Sequence, residues 1–258
     1  MRKIYLRIRL LFIVAVLILL SASEAKGKDV SDSLNYYVRL GYNIGGTAPV
    51  GMPATIRALN KFYIQPDILL GFDIQKDFWG KFGLMTGIRY ETKNMKIDAT
   101  VKNYHMEIVE EGALPIEGMY TGRLVTKCEE SMITIPVLAT FRATKTLLVK
   151  AGIYGNYILS STFKGYVYDG YLREGDPTGQ KVSFGNGDGE TASYDFSCKL
   201  RKVQYGIDCG IDWQFHKRFG VYADLAWGLN GVFKSDFKTI EQTLHSIYGS
   251  VGLIYRLR

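Results

Sequence analysis

The sequence is poor in the residues that most enzymes and metal proteins use. Its 258 residues include only three histidines and three cysteines. The histidines, at positions 105, 216 and 245, lie in separate regions without the spacing of a metal site. An odd cysteine count argues against a disulfide framework, although a bridge between Cys128 and Cys198 stays open. We therefore expect no metal and no cofactor.

Long apolar runs are also missing, with one exception at the N-terminus. Residues 10–20 form an unbroken apolar run, with small residues after it at positions 21–23. Four basic residues precede the run: Arg2, Lys3, Arg7 and Arg9. A helix this short does not span a hydrocarbon core of ~30 Å. The pattern predicts an exported protein with a signal peptide at residues 1–23 and one mature domain at 24–258; an uncleaved anchor is the alternative.

Charge of one sign is not in large excess after export. The formal net charge is +7, from 32 basic and 25 acidic residues. The four basic residues before the apolar run leave with the signal peptide, so 28 basic residues face 25 acidic ones in the mature chain. A balance this even gives no reason to expect nucleic acid as a partner.

The mature sequence is dominated by alternation with a period of two. Eight segments of about 10 residues carry apolar side chains at every second position: 36–44, 62–72, 82–90, 133–141, 147–157, 203–215, 219–229 and 247–257. Short and long connections alternate between them, the longest at 93–131 and 161–198. The pattern predicts an all-β protein, an eight-stranded antiparallel up-and-down transmembrane β-barrel with two long extracellular hairpins. We expect this barrel to lie in the cell outer membrane with both termini periplasmic.

The apolar face has an aliphatic middle and two aromatic ends. One predicted girdle contains Tyr36, Phe72, Phe82, Trp213, Phe219 and Tyr255, and the other contains Tyr42, Phe62, Tyr90 and Trp227. Aromatic belts around an aliphatic band are typical of a wall that contacts lipid, so outer-membrane lipid is the first expected partner. A soluble lipocalin-like barrel, with the apolar face turned inward, is the alternative.

The opposite face carries charges of both signs. We predict an interior charge network made of Arg39, Asp67, Arg89, Glu91, Lys150, Asp208, Asp212, Asp224 and Arg256. An eight-stranded barrel is just wide enough for side chains to fill, which favours a plug of ion pairs over a conducting pore. Asp208 and Asp212 are separated by ~13 Å along one strand, too far to share a proton.

Catalytic candidates are few. His245 stands beside Ser246, but neighbouring strand residues point to opposite faces and do not form a nucleophile–base pair. The segment 185–190 resembles a fragment of a calcium loop without the full ligand series. We therefore expect a protein that is not an enzyme, with a lipid-modifying enzyme and a small pore as the less favoured alternatives.

Several short motifs resemble the outer-membrane β-barrel proteins of Bacteroidetes, the PorT-like group. They are residues 45–49, 53–57, 86–91, 134–137 and 169–173. The resemblance implies an integral outer-membrane protein of a Gram-negative bacterium and a link to type IX-like protein secretion. The chain departs from the usual barrel signal because it ends Tyr255-Arg256-Leu257-Arg258, without a terminal aromatic residue.

The expected role is interaction or anchoring in the cell envelope. Alternation continues inside both long connections, at residues 95–101 and 163–167, so these regions are predicted to be strands that extend beyond the membrane. Envelope or secretion proteins would bind through residues 93–131 and 161–198, because exposed loops on a rigid scaffold commonly carry binding function.

Overall fold

A computed structural model describes residues 34–257 except 52, 110–114, 188, 238 and 241. The predicted signal peptide, residues 1–23, lies outside the described residues. The strands are β1 (Asn35–Pro49), β2 (Ile56–Tyr63), β3 (Leu69–Trp79), β4 (Phe82–Ile108), β5 (Ile116–Arg142), β6 (Leu147–Glu174), β7 (Lys181–Phe184), β8 (Ala192–Asp195), β9 (Val203–Trp213), β10 (Phe219–Gly228) and β11 (Leu244–Arg256). A short 3₁₀ helix spans Ser197–Lys199. Within the described part of the chain, no helix is long and apolar enough to cross a membrane.

Eight of these strands form a closed antiparallel ring. Their order is β1, β3, β4, β5, β6, β9, β10 and β11, and β11 pairs back onto β1. Closure is extensive, with Cα partners running from Tyr37 and Arg256 to Pro49 and Leu244. The predicted eight-stranded up-and-down barrel is therefore confirmed.

The two ends of the barrel differ. At one, the turn end, successive barrel strands are joined by residues 80–81, 143–146 and 214–218. Gly80 has a φ of +58°, which a two-residue hairpin turn requires and glycine adopts without strain. At the other, the loop end, the connections are long and contain β2, β7, β8 and the 3₁₀ helix.

The faces of the wall follow the alternation in the sequence. Leu40 is 58% exposed on the outside, while its neighbour Arg39 is fully buried inside. Large interior side chains fit because glycines leave room, as a Cβ at Gly41 would lie 2.0 Å from the Tyr222 hydroxyl oxygen. A lipocalin-like barrel would need the apolar face inside, so this arrangement contradicts the soluble alternative.

The predicted strand at 62–72 is wrong in one respect, because the chain breaks there into two strands. Residues 64–68, which connect β2 to β3, belong to neither strand. Pro66 has no N–H to donate, and Asp67 accepts the backbone N–H of Asn94 at 2.9 Å with its side chain. Phe62 consequently lies on β2, paired with Ile97, and is not part of the barrel wall.

The regions predicted as extended strands beyond the membrane are indeed strands. β4 and β5 contain 27 residues each and β6 contains 28. About 10 residues suffice to cross a membrane, so roughly half of each strand projects from the loop end. We call this projecting part the extension: residues 92–108, 116–131 and 160–174, with β2, β7 and β8.

The extension has a hydrophobic core of its own. β7 and β8 pair with β6, and an isolated bridge joins Val109 to Ser193 of β8, so the sheet bends back towards β4. The enclosed side chains include Met106, Ile108, Tyr120, Phe163, Val167, Leu172, Phe184, Tyr194 and Phe196. The extension is thus a packed unit rather than a pair of irregular loops.

Candidate functional site

The interior of the barrel contains a ring of alternating charges. Arg39 donates to Asp73 and, with two nitrogens, to Asp212 at 2.6 and 3.0 Å. The ammonium of Lys150 lies 2.7 Å from Asp212 and 2.8 Å from Asp224. These groups are almost completely buried, so each charge depends on its partners instead of water.

Arg89 closes the ring. Its guanidinium lies 3.0 Å from Asp73 and 3.7 Å from Asp224, and it also contacts Asp208 at 3.3 Å. The ring passes through six side chains in turn: Lys150, Asp212, Arg39, Asp73, Arg89 and Asp224. They come from β6, β9, β1, β3, β4 and β10, so ion pairs cross the lumen and connect six barrel strands.

Four residues of the predicted network lie outside this ring: Asp208, which contacts Arg89, and Glu91, Asp67 and Arg256. Glu91 binds Lys93 at 3.0 Å nearer the loop end. Asp67 caps the break between β2 and β3, as described above. Arg256 is half-buried at the turn end, where its guanidinium donates to the Asn35 side chain at 2.5 Å.

Asp73 and Lys93 are among the buried interior residues that the predicted network does not include. Asp73 belongs to the polar face of its segment, with the same parity as Gly71, so alternation alone would have found it. The sequence predicts a loop at Lys93, but β4 continues through it and buries it between the rings of Tyr154 and Tyr248, at 5.5 and 5.7 Å.

Little space remains inside the barrel. The interior cavity next to the charge ring has a volume of about 10 Å³, lined by residues that include Arg89, Thr134, Asp208 and Asp224. That volume holds about one water molecule. Beside the ring, the lumen is therefore occupied mainly by side chains of the ring and its neighbours.

The aromatic residues of the two predicted girdles lie on the outer face of the wall, apart from Phe62 on β2. At the turn end they pack in pairs across neighbouring strands: Tyr36 with Phe72, Phe82 with Phe141, and Phe219 with Tyr255. Trp213 is exposed at the same end. At the loop end, Tyr42 donates to the carbonyl of Gln65, and Tyr90 and Trp227 lie on the outer face of the wall.

The residues weighed for catalysis stay apart. Ser246 is buried inside, whereas His245 lies on the other face of β11 with Nδ1 2.9 Å from the carbonyl of Gly228. His105, predicted in a loop, lies in strand β4, where Nδ1 is 2.9 Å from the carbonyl of Thr239. No group of three or more metal-binding side chains occurs among the described residues.

The cysteines are free thiols. Cys128 is buried in the extension near Thr47, and Cys198 is exposed in the 3₁₀ helix. The bridge between them that the sequence left open is not formed. Cys209 is exposed on the outer wall of β9.

A polar cluster holds the outer surface of the extension together. The Asp98 carboxylate accepts hydrogen bonds from Tyr168 at 2.6 Å, Arg123 at 2.8 Å and Asn60 at 2.9 Å. Burial raises the pKa of Asp98, but the hydrogen bonds and the Arg123 charge outweigh it and the pKa is lowered. The cluster ties β2, β4, β5 and β6 to one carboxylate.

Comparison with known families settles what kind of protein carries this architecture. A family described as "Outer membrane protein beta-barrel domain" matches residues 23–234. The chain belongs to this outer-membrane β-barrel family. Membership places the barrel in the outer membrane and agrees with its apolar wall, its aromatic ends and its charged interior.

Solved structures give more distant similarities. Ail, the attachment invasion locus protein of Yersinia pestis, is 9% identical, with 87% of this chain and 97% of Ail covered at a TM-score of 0.38. Ail in complex with the heparin analogue sucrose octasulfate gives 12% identity, 87% and 99% coverage and 0.38. The translocator domain of the autotransporter NalP from Neisseria meningitidis gives 10% identity, 95% coverage of both chains and 0.23. No curated protein matches the chain.

Proposed function

We propose that this outer-membrane β-barrel protein is a non-enzymatic interaction module that presents the extension outside the cell. The observation that carries the proposal is the packed extension itself. Strands of 27 and 28 residues far exceed what a membrane crossing needs, and their outer halves enclose a separate core. A rigid surface of this kind suits binding to a partner or anchoring an envelope assembly.

The direction of the extension follows from the lengths of the connections. Outer-membrane barrels have short periplasmic turns and long extracellular loops. The turn end and both barrel termini would then face the periplasm, and the extension would face outward.

A pore and an enzyme receive less support. The charge ring crosses the lumen and the cavity beside it has only about 10 Å³, which argues against an ion path through the barrel. His245 and Ser246 lie on opposite faces of β11 and do not form a catalytic pair. We therefore propose that neither conduction nor acyl transfer is the role of this barrel.

A finer hypothesis is that the partner belongs to a secretion assembly. It rests on the PorT-like motifs, among them residues 45–49 and 169–173, which lie on β1 and β6 towards the loop end. If it holds, a strain without this gene will retain type IX-like cargo in the cell, and the full-length gene will restore secretion. Normal secretion by the deletion strain would refute the link.

The outward direction is tested with the native thiols. Cys198 is exposed on the loop end, Cys128 is buried, and Cys209 faces lipid, so a membrane-impermeant maleimide should react mainly with Cys198. On intact cells, the reagent should label the wild-type protein, and Cys198→Ser should abolish the labelling. Labelling only after the outer membrane is permeabilised would place the extension in the periplasm and refute the proposal.

A further inference from the structure

One strand of the extension has an open edge. β2 pairs with residues 96–101 of β4 along one side. Along its other side, no strand of the described chain pairs with it. On the barrel's own β1, pairing with β3 also stops at Gly41, although β1 continues to Pro49. The wall therefore has a gap in its ladder next to β2.

The side chains of β2 are unusually uncovered for a strand of a packed unit. Seven of its eight residues are exposed and the eighth is partly exposed. Phe62 pairs with Ile97 and Leu59 pairs with Ala99, two positions that belong to or pack on the core of the extension. One face of β2 thus continues the core of the extension, but its apolar side chains are not covered, and Leu59 is 52% exposed.

The other face of β2 is basic. Lys61 pairs with Asp98 and Tyr63 with Lys96, so these side chains lie opposite Phe62. Both Lys61 and Lys96 lie near the Tyr63 ring, at 5.8 and 5.0 Å. Asp98 is already bound by Arg123. Among the ion pairs of the described residues, none includes Arg57, Lys61, Lys96 or Lys102.

From this combination we infer that β2 is a docking edge for an acidic, extended polypeptide segment, which adds to the sheet as a further strand. The open backbone edge supplies hydrogen bonds and the alternation of the new strand supplies specificity. Its apolar residues would cover Leu59 and Phe62, and its acidic residues would face the unpaired basic side chains. The inference rests on the proposed function, because it names the class of partner for the same extension.

Edge strands without such a partner are normally protected. β2 has two features that protect an edge strand in this way. They are its basic residues and its two register irregularities, at Ile56/Ala58 and Leu59/Lys61. They disfavour pairing of β2 with β2 of a second copy, since like charges would meet across the new ladder. An acidic strand escapes this repulsion, so the same devices select the partner.

The test uses the purified mature protein in detergent micelles and three fluorescent peptides ten residues long. The first alternates Glu and Val, the second alternates Lys and Val, and the third is the Glu-Val peptide with backbone N-methyl groups that remove donors on alternate residues. We expect the Glu-Val peptide to bind, the Lys-Val peptide not to bind, and N-methylation to weaken affinity about tenfold, which is ~1.4 kcal/mol.

Charge reversal on the protein gives the second arm. Arg57→Glu with Lys61→Glu should weaken binding of the Glu-Val peptide by about tenfold. The matched control reverses two exposed lysines at the turn end, Lys145→Glu with Lys217→Glu, and should leave affinity unchanged. A heat-dependent gel shift in both variants shows that each barrel is folded.

Three results would overturn the docking edge. They are absence of Glu-Val binding, equal binding of the N-methylated peptide, and equal loss in the control variant. Equal binding of the N-methylated peptide together with competition by dextran sulfate would indicate a surface for polyanions instead of strand addition. If the peptide binds in micelles but Cys198 is not labelled on intact cells, β2 is still a docking edge, but the outward-facing function is refuted.

Discussion

Arg39 offers the sharpest test of how the barrel interior is held together. Its guanidinium is fully buried and donates to both Asp73 and Asp212. In Arg39→Met, Asp73 keeps Arg89 and Asp212 keeps Lys150, so neither carboxylate is stranded. Removing one partner of a buried ion pair costs ~3–5 kcal/mol, and we expect the lower end, ~3 kcal/mol, because of these remaining partners.

The effect should depend on Asp212. In the double variant Arg39→Met with Asp212→Leu, the carboxylate that loses the Arg39 ion pair is itself absent. Lys150 still has its ion pair with Asp224. The double variant should therefore be destabilised less than the sum of the two single variants, by at least ~1 kcal/mol. Stability is measured as the free energy of unfolding in urea, with protein refolded in lipid vesicles and followed by tryptophan fluorescence.

A neighbouring residue supplies the control. Leu40 points to lipid beside Arg39, and Leu40→Met should change the free energy of unfolding by no more than ~0.5 kcal/mol. If Arg39→Met changes the free energy of unfolding as little as this control, or if the two single effects simply add, the ring of ion pairs does not stabilise the barrel.

Three further predictions concern pH, the wall and the extension. Because the pKa of Asp98 is lowered in the folded protein, its hydrogen bonds stabilise the extension above the ordinary carboxyl pKa of ~3.9 and are lost as pH falls through the lowered value. Amide hydrogen exchange in β4–β6 should accelerate at that acidic pH. The Asp98→Asn variant should exchange faster than wild type at pH 7 and should show no further acceleration at acidic pH. The same acid-induced acceleration in the variant as in wild type would refute the role of Asp98. Ala223→Arg, in the middle of the outer wall, should cost ~2–4 kcal/mol in vesicles, whereas Leu229→Arg, just beyond β10, should cost ~0–1 kcal/mol; equal costs would contradict the assigned depth. Replacing residues 97–126 by Asn-Gly joins Lys96 to Lys127, which are register partners, and should leave a barrel with a heat-dependent gel shift; an unfolded product would show that the extension is required for folding.

The wall could be predicted from the sequence because its environment is simple. Lipid requires apolar residues outside and the narrow lumen requires polar ones inside, so a period of two identifies both faces. Leu40 and Arg39 show this directly, as does the placement of the aromatic residues at both ends of the wall.

The extension was harder because water and a small protein core replace lipid there. Lys93 has the same parity as Arg89 and Glu91, but its burial depends on Tyr154 and Tyr248, which come from distant parts of the chain. The break at Pro66 and the separation of β2 depend on the side chain of Asp67, which the alternating pattern assigned to the interior. The open edge of β2 is likewise a property of pairing, and pairing partners are not visible in a single sequence.

The closed barrel embedded in the outer membrane is tested most directly by electrophoresis of the outer-membrane fraction in detergent, with and without boiling. A closed hydrogen-bonded ring with a paired charged interior should resist detergent, so the unboiled protein should migrate faster and shift to its full apparent mass on boiling. A single unshifted band recovered from the soluble periplasmic fraction would contradict the account, because it would mean that the apolar wall faces something other than lipid.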